Sequence, residues 1–219
     1  VNCTVRNNTS ARTGAGINLQ AGTVRNSVIA YNTDGYGGSV AMTSGQLINC
    51  LVYGNRATSA YLGGGGVLVN GVSAQVLNCT IIGNQAFGSS GGGVYFGAAG
   101  SVVNSIIYYN YATGPQKDLS ASNNLLHCCS PDLFHDPSGT GNITNSPGFI
   151  LNGSGYGASH VAGDYHLDKA LPSPCINTGI NQPWMSLPDL DGNRRVRLNT
   201  VDMGCYEYYP PVGTLMVVR

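Results

Sequence analysis

Four His, seven Cys and ten acidic side chains are the groups in this 219-residue sequence that could hold a metal or move a proton. Glycosidic cleavage takes two facing carboxylates, and a lyase step takes a base beside an electrophilic cation. Residues 1–117 hold a single acid, Asp34, against Arg6, Arg12, Arg25, Arg56 and Lys117. Neither a carboxylate pair nor a carboxylate calcium cage can be assembled there, and Arg12, Arg25 or Arg56 acting as a base would lack its metal. Residues 118–219 carry nine acids and five bases, so the chain is polarised end to end. His127, His135, His160 and His166 show no metal-ligand spacing, and His166 lies in the strand-like "DYHL". A weak calcium candidate is "DLDGN", with Asp189, Asp191 and Asn193, but no closing Glu follows. The other reading of that stretch is an Asp-Gly turn in which Arg194 or Arg195 pairs with Asp202 or Glu207. The scattered Arg form no nucleic-acid patch, and no apolar run approaches the ~18 residues of a spanning helix. These residues predict a non-catalytic protein with no cofactor; a polysaccharide lyase-like enzyme is the alternative.

What must position these groups is a repeat. "NCTVRNN", "NSVIAYN", "NCLVYGN", "NCTIIGN" and "NSIIYYN" begin at residues 2, 26, 49, 78 and 104, and "GAGINL", "GGSVAM", "GGGVLV" and "GGGVYF" run in step with them. An apolar stretch precedes each Asn from residue 26 onward: Val24, Leu47–Ile48, Val76–Leu77 and Val102–Val103. Three short β-prone runs per period, turned by Gly and Asn and without a helical half, predict one coil of a parallel β-helix. Coils stack ~4.8 Å apart, so equivalent residues form columns. Asn8, Asn32, Asn55, Asn84 and Asn110 are expected to form an internal ladder, because an amide both donates and accepts. Cys3, Ser27, Cys50, Cys79 and Ser105 share parity with Val5, Ile29, Val52, Ile81 and Ile107 and should point inward. The Cys among them read as small buried hydrophobes. Thr4, Val28, Leu51, Thr80 and Ile106 should point outward, with Arg6, Ala30, Tyr53, Ile82 and Tyr108.

After Tyr111 the repeat fades, with one further coil expected around "NNLLHCC". Gly139, Gly141–Ile143, Pro147 and Phe149 are followed by "DYHL" (164–167), "SPCINTG" (173–179), "DLDGNRR" (189–195) and "VDMGCYE" (201–207). In order and spacing these resemble the C-terminal region of secreted bacterial right-handed parallel β-helix proteins of the pectate-lyase-like superfamily that carry a choice-of-anchor domain. The resemblance implies an extracellular or cell-surface location rather than a reaction. This sequence departs from that pattern at Cys205 and at Cys128, beside the more typical Cys129. Two added Cys suggest disulfides, Cys129 with Cys175 and Cys128 with Cys205, in keeping with an oxidising compartment; four free thiols in a compact cap is the other reading.

The expected architecture is all-β: a right-handed parallel β-helix of about five to six coils over 1–127, an irregular C-terminal cap over 128–211, and a β-prone tail over 212–219. The chain opens on Val1 without a basic-then-apolar leader, as a processed product or a piece of a longer chain would. Val1, Asn2 and Cys3 begin inside a repeat, and Val212, Leu215, Met216, Val217 and Val218 lie in an apolar tail, so strand addition between copies is expected. The expected function is a non-catalytic extracellular structural protein, self-assembling head-to-tail into a filament. The alternative is a cell-surface adhesin or glycan-binding fragment in which Tyr53, Tyr108, Tyr36 and Tyr61 stack on sugars. Of the N-x-S/T sites at Asn2, Asn7, Asn8, Asn78, Asn142 and Asn152, three fall on ladder positions, where chance is the better reading. Neither nucleic acid nor membrane insertion is expected.

Overall fold

A computed structural model describes residues 1–60, 63–88, 90–121, 124–133, 141–168, 173–197 and 199–210. Tyr61, His135, Gly139, Pro211 and the whole 212–219 tail, with Val212, Leu215, Met216, Val217 and Val218, lie outside the described residues. The chain is an all-β parallel solenoid of about five turns.

Each turn contributes to three parallel sheets. The first stacks Thr4–Arg6, Val28–Ala30, Leu51–Tyr53, Thr80–Ile82 and Ile106–Tyr108 in unbroken register, and Cys129 and Ile143 extend it by single bridges. The second stacks Thr9–Ser10, Thr33–Asp34, Arg56–Ala57 and Gln85–Ala86, with Tyr111 bridged to Gln85. The third centres on Val40–Ile48 and Val67–Leu77 and ends on Leu125–Leu126 against Val102–Val103, which is the further coil expected there.

From the second coil onward the inward column is buried as its parity requires, whereas in the first coil Cys3 is exposed and Val5 half-buried, which corrects the reading of Cys3 as a buried hydrophobe. Ile29, Val52, Ile81 and Ile107 have no exposed surface and pack in one core with Cys50, Cys79, Val40, Val67, Val76 and Val102. Each such side chain contributes about 1.5–3 kcal/mol. Asn2, Asn26, Asn49, Asn78 and Asn104 all have φ between 50° and 55°, and His127, with φ 50°, takes the sixth place. This corner is left-handed, and Asn is the residue with a side chain that enters that region most readily. The next corner is left-handed one residue before each ladder Asn, at Asn7, Tyr31, Gly54, Gly83 and Tyr109.

Most of the C-terminal region is not an end cap. Residues 128–133 and 141–143 close the last coil: Leu133 plugs the core, and the Asp132 carboxylate accepts from the Asp118 and Leu119 amides at 2.6 and 3.0 Å. The rest lies along the outside of the first sheet. The antiparallel pair Phe149–Leu151 and Asp164–Leu167, together with Cys175, Met203 and Cys205, covers Leu51, Ile82, Ile106 and Cys129. The physical reason is the outward row itself: a sheet presenting Val28, Leu51, Ile82 and Ile106 must be buried on both faces. Tyr53 and Tyr108 are half-buried in this covered surface, where Tyr53 packs on Tyr31, His160 and Tyr165. Tyr36 is 53% exposed.

Candidate functional site

The inner ladder runs through the described coils with one polarity. Asn8 donates from both its backbone N–H and its Nδ2 to Asn32 Oδ1, each at 3.0 Å. Asn32 does the same to Asn55, Asn55 to Asn84, and Asn84 to Asn110, all at 2.9–3.0 Å. Each amide left over binds a carbonyl of the coil before, for example Asn55 Nδ2 to Ile29 O at 2.9 Å. A chain of donors pointing one way must end on an acceptor. That acceptor is Asp118, whose Oδ1 takes Asn110 N and Nδ2 at 2.9 and 2.8 Å. Burial raises the Asp118 pKa to about 7 against the pull of the Asn110 bonds, and Asp132 adds to the rise.

The left-handed corner turns its Asn column outward, where it grips a strap made of residues 178–189. From the last coil backwards, His127 Nδ1 meets Thr178 O at 2.7 Å, and Asn104 exchanges two bonds of 2.8 Å with the Ile180 backbone. Trp184 Nε1 donates to Asn78 Oδ1 at 3.1 Å, and Asn49 and Asn26 both donate to Pro188 O, at 2.8 and 3.1 Å. The strap thus crosses the coils in the direction opposite to their progression and is fastened at each crossing. Gly179 sits so close that an added Cβ would lie 3.0 Å from Asn104 Oδ1.

The far end of the strap is held by a buried polar knot. Asp189 Oδ1 accepts from the Asp191 and Asn193 amides at 3.0 and 2.7 Å, and its Oδ2 from Glu207 N at 2.9 Å. The Asp202 carboxylate caps Asn177 N and Tyr208 N at 2.7 and 2.6 Å. Arg195, 1% exposed, donates from Nη2 to the Asp202 and Gly204 carbonyls, with Nε 3.8 Å from Glu207 Oε2. Burial raises Glu207 to about 8, with Asp202 adding to the rise and Arg195 opposing it. The calcium reading of Asp189, Asp191 and Asn193 is therefore corrected. The Asp189 oxygens already serve three amides, and the Asp191 carboxylate turns away to His166 at 2.7 Å. Among the described residues no cluster of His, Cys, Asp and Glu has the geometry of a metal site.

All seven Cys are free thiols in the structure, and the expected Cys128–Cys205 pairing is corrected. Cys128 points into the solenoid core beside Val102, whereas Cys205 lies in the outer cluster on the other side of the first sheet, so that pair cannot close without moving backbone. Cys129 and Cys175 do meet in the outer cluster as neighbouring thiols, a contact that together with burial drives the Cys129 pKa strongly upward. Asn142 ends the Cys/Ser column, accepting Cys128 N at 2.8 Å and donating to Leu125 O at 3.1 Å.

At the first coil, Val1 is 58% exposed, and Asn2 N and Cys3 N bond forward onto the second coil, at Arg25 O and Ser27 Oγ. Thr4–Arg6, Thr9–Ser10 and Ile17–Leu19 are each at the edge of their sheet. Arg12, Arg25 and Arg56 do not converge: Arg25 ends a third-sheet strand, Arg56 lies on the second sheet over Phe87, and Arg12 follows that sheet in a loop. Sequence reasoning missed Asp118, although it stands eight residues after the last ladder Asn, and it missed the strap entirely. No family model matches the chain, and no curated protein or solved structure matched it.

Proposed function

We propose that this chain is a non-catalytic structural rod of the extracellular space or cell surface, of the kind its C-terminal motifs resemble in secreted pectate-lyase-like β-helix proteins. The observation that carries this reading is the strap, fastened to the outer Asn column from the last coil back to the second. Coils so fastened cannot part along the axis one at a time. The four motifs from residue 164 onward lie in the flank, at the two ends of the strap and in its knot, which gives them a mechanical role. Pulling the protein by residues 1 and 210 in a force microscope tests this. One cooperative high-force rupture is expected, falling in force when Asn104 becomes Ala. A staircase of weak coil-sized steps, or cleavage of any polysaccharide in a panel, would overturn it.

End-to-end association of copies is a second reading, favoured by the uncovered edges of the first coil. Those edges suit a further coil, whether from the same polypeptide or from a copy. Light scattering decides between monomer, pair and larger assembly.

A further inference from the structure

Two separate elements on the flank meet through one side chain. His166, on the strand Asp164–Leu167, places Nδ1 2.5 Å from Asp164 Oδ1 and Nε2 2.7 Å from Asp191 Oδ2 of the 189–193 loop. Its ring stacks on Tyr206 with centroids 4.0 Å apart. A neutral imidazole has one N–H and one lone pair, so one of the two carboxylates would face a lone pair. Only the imidazolium donates to both. Among the described residues, the titratable groups that face the ring are Asp164 from its own strand, Asp191 from the loop and Tyr206 from the C-terminal segment.

We propose that His166 is a proton-dependent latch that joins the flank to the far end of the strap, closed when the imidazole is protonated and opened by its deprotonation. The three side chains are 39–47% exposed, so protons exchange freely. Opening acts on the strap because Pro188 and Asp189, which lead into the loop, are the residues that Asn26 and Asn49 hold. The His166 pKa is raised, with the hydrogen bonds to Asp164 and Asp191 outweighing burial, and Asp164 is lowered by the same contact. A raised His pKa gives stabilisation that is complete below the ordinary value of ~6.5 and is lost as pH rises through the folded value.

The test is an NMR titration of the intact wild-type chain with amide-exchange protection measured across 189–193. His166 should titrate above the ordinary range, and the protection of the Asp191 and Asn193 amides should fall several-fold across that transition. Asp191→Asn should lower the His166 pKa, and His166→Gln should abolish the pH step in protection while the far-UV spectrum stays that of the parent. A His166 pKa at or below the ordinary value, or protection that is flat through its titration, would overturn the latch.

Discussion

Asn55→Ala and Asn8→Ala remove the same side chain from the same column, yet the ladder makes them unequal. At Asn55, 0% exposed, truncation leaves the Asn32 backbone N–H without its acceptor, because Asn55 Oδ1 is its partner. An orphaned buried donor costs about 1–3 kcal/mol. Truncation also removes the bonds to Asn55 Oδ1 from Asn32 Nδ2 and from Asn55 Nδ2 to Asn84 Oδ1 and Ile29 O. With three such bonds at ~0.5–1.5 kcal/mol each, and with Asn32 Nδ2 still holding Val5 O, the total is about 2.5–7.5 kcal/mol. At Asn8 the backbone bond to Asn32 Oδ1 survives and a single part-buried amide bond is lost, so about 0.5–1 kcal/mol is expected. Thermal and urea unfolding followed by circular dichroism read the difference, which at ~2–4 °C per kcal/mol should separate the two melting points by about 3–28 °C. Asn55→Asp sharpens the test. It turns a carboxylate oxygen toward Ile29 O, Tyr53 O and Asn84 Oδ1, all acceptors, so it should be worse than Ala. Equal effects at positions 8 and 55, or a milder Asp than Ala, would refute both the ladder's role and its polarity.

Asp118→Asn tests the ladder's end. Between the ordinary carboxylate value of ~3.9 and about 7, native Asp118 holds a proton that the unfolded chain has released, so stability falls as pH rises through that window. The amide should remove up to ~1.4 kcal/mol per pH unit of that slope, matching the parent at pH 4 and exceeding it at pH 8; an unchanged slope in urea midpoints rejects this. Gly83→Ala adds a Cβ 2.2 Å from the His160 ring at a left-handed residue. It should lower stability by about 2–4 kcal/mol, with partial rescue by His160→Ala in a double-mutant cycle. Leu133→Ala unplugs the last coil and should cost about 2–5 kcal/mol, read as raised amide exchange in Leu125–Leu126 before the rest of the chain.

The solenoid was legible because its signals are local and repeated. A small residue, a branched residue and an Asn at fixed offsets declare which side faces in, and five repetitions make the period plain. The strap was not legible, because its partners lie 51 to 163 residues away and meet it mostly through main-chain groups that no residue type reveals. The "DLDGN" stretch misled for a related reason: an Asp that caps its own loop and an Asp that holds a cation look alike until its oxygens are counted. The cysteines misled through topology, since adjacent Cys128 and Cys129, in a bridged extended segment, point to opposite faces.

One signal for the flank was present in the residue types. Val28, Leu51 and Ile106, and Ile82 two places along, stand at positions whose parity sends them outward, and an outward row of branched apolar residues demands a cover. The cover had to come from the same chain's C-terminal third or from a partner. The first Asn column then decides where it runs. Its left-handed corner directs each amide away from the core, and an outward ladder of alternating donors and acceptors fits an extended backbone laid along the axis. The two Asn of each repeat therefore do opposite work. One binds each coil to the next from within, and the other binds the coils together from outside through the strap, so removing either should loosen the stack along the same direction.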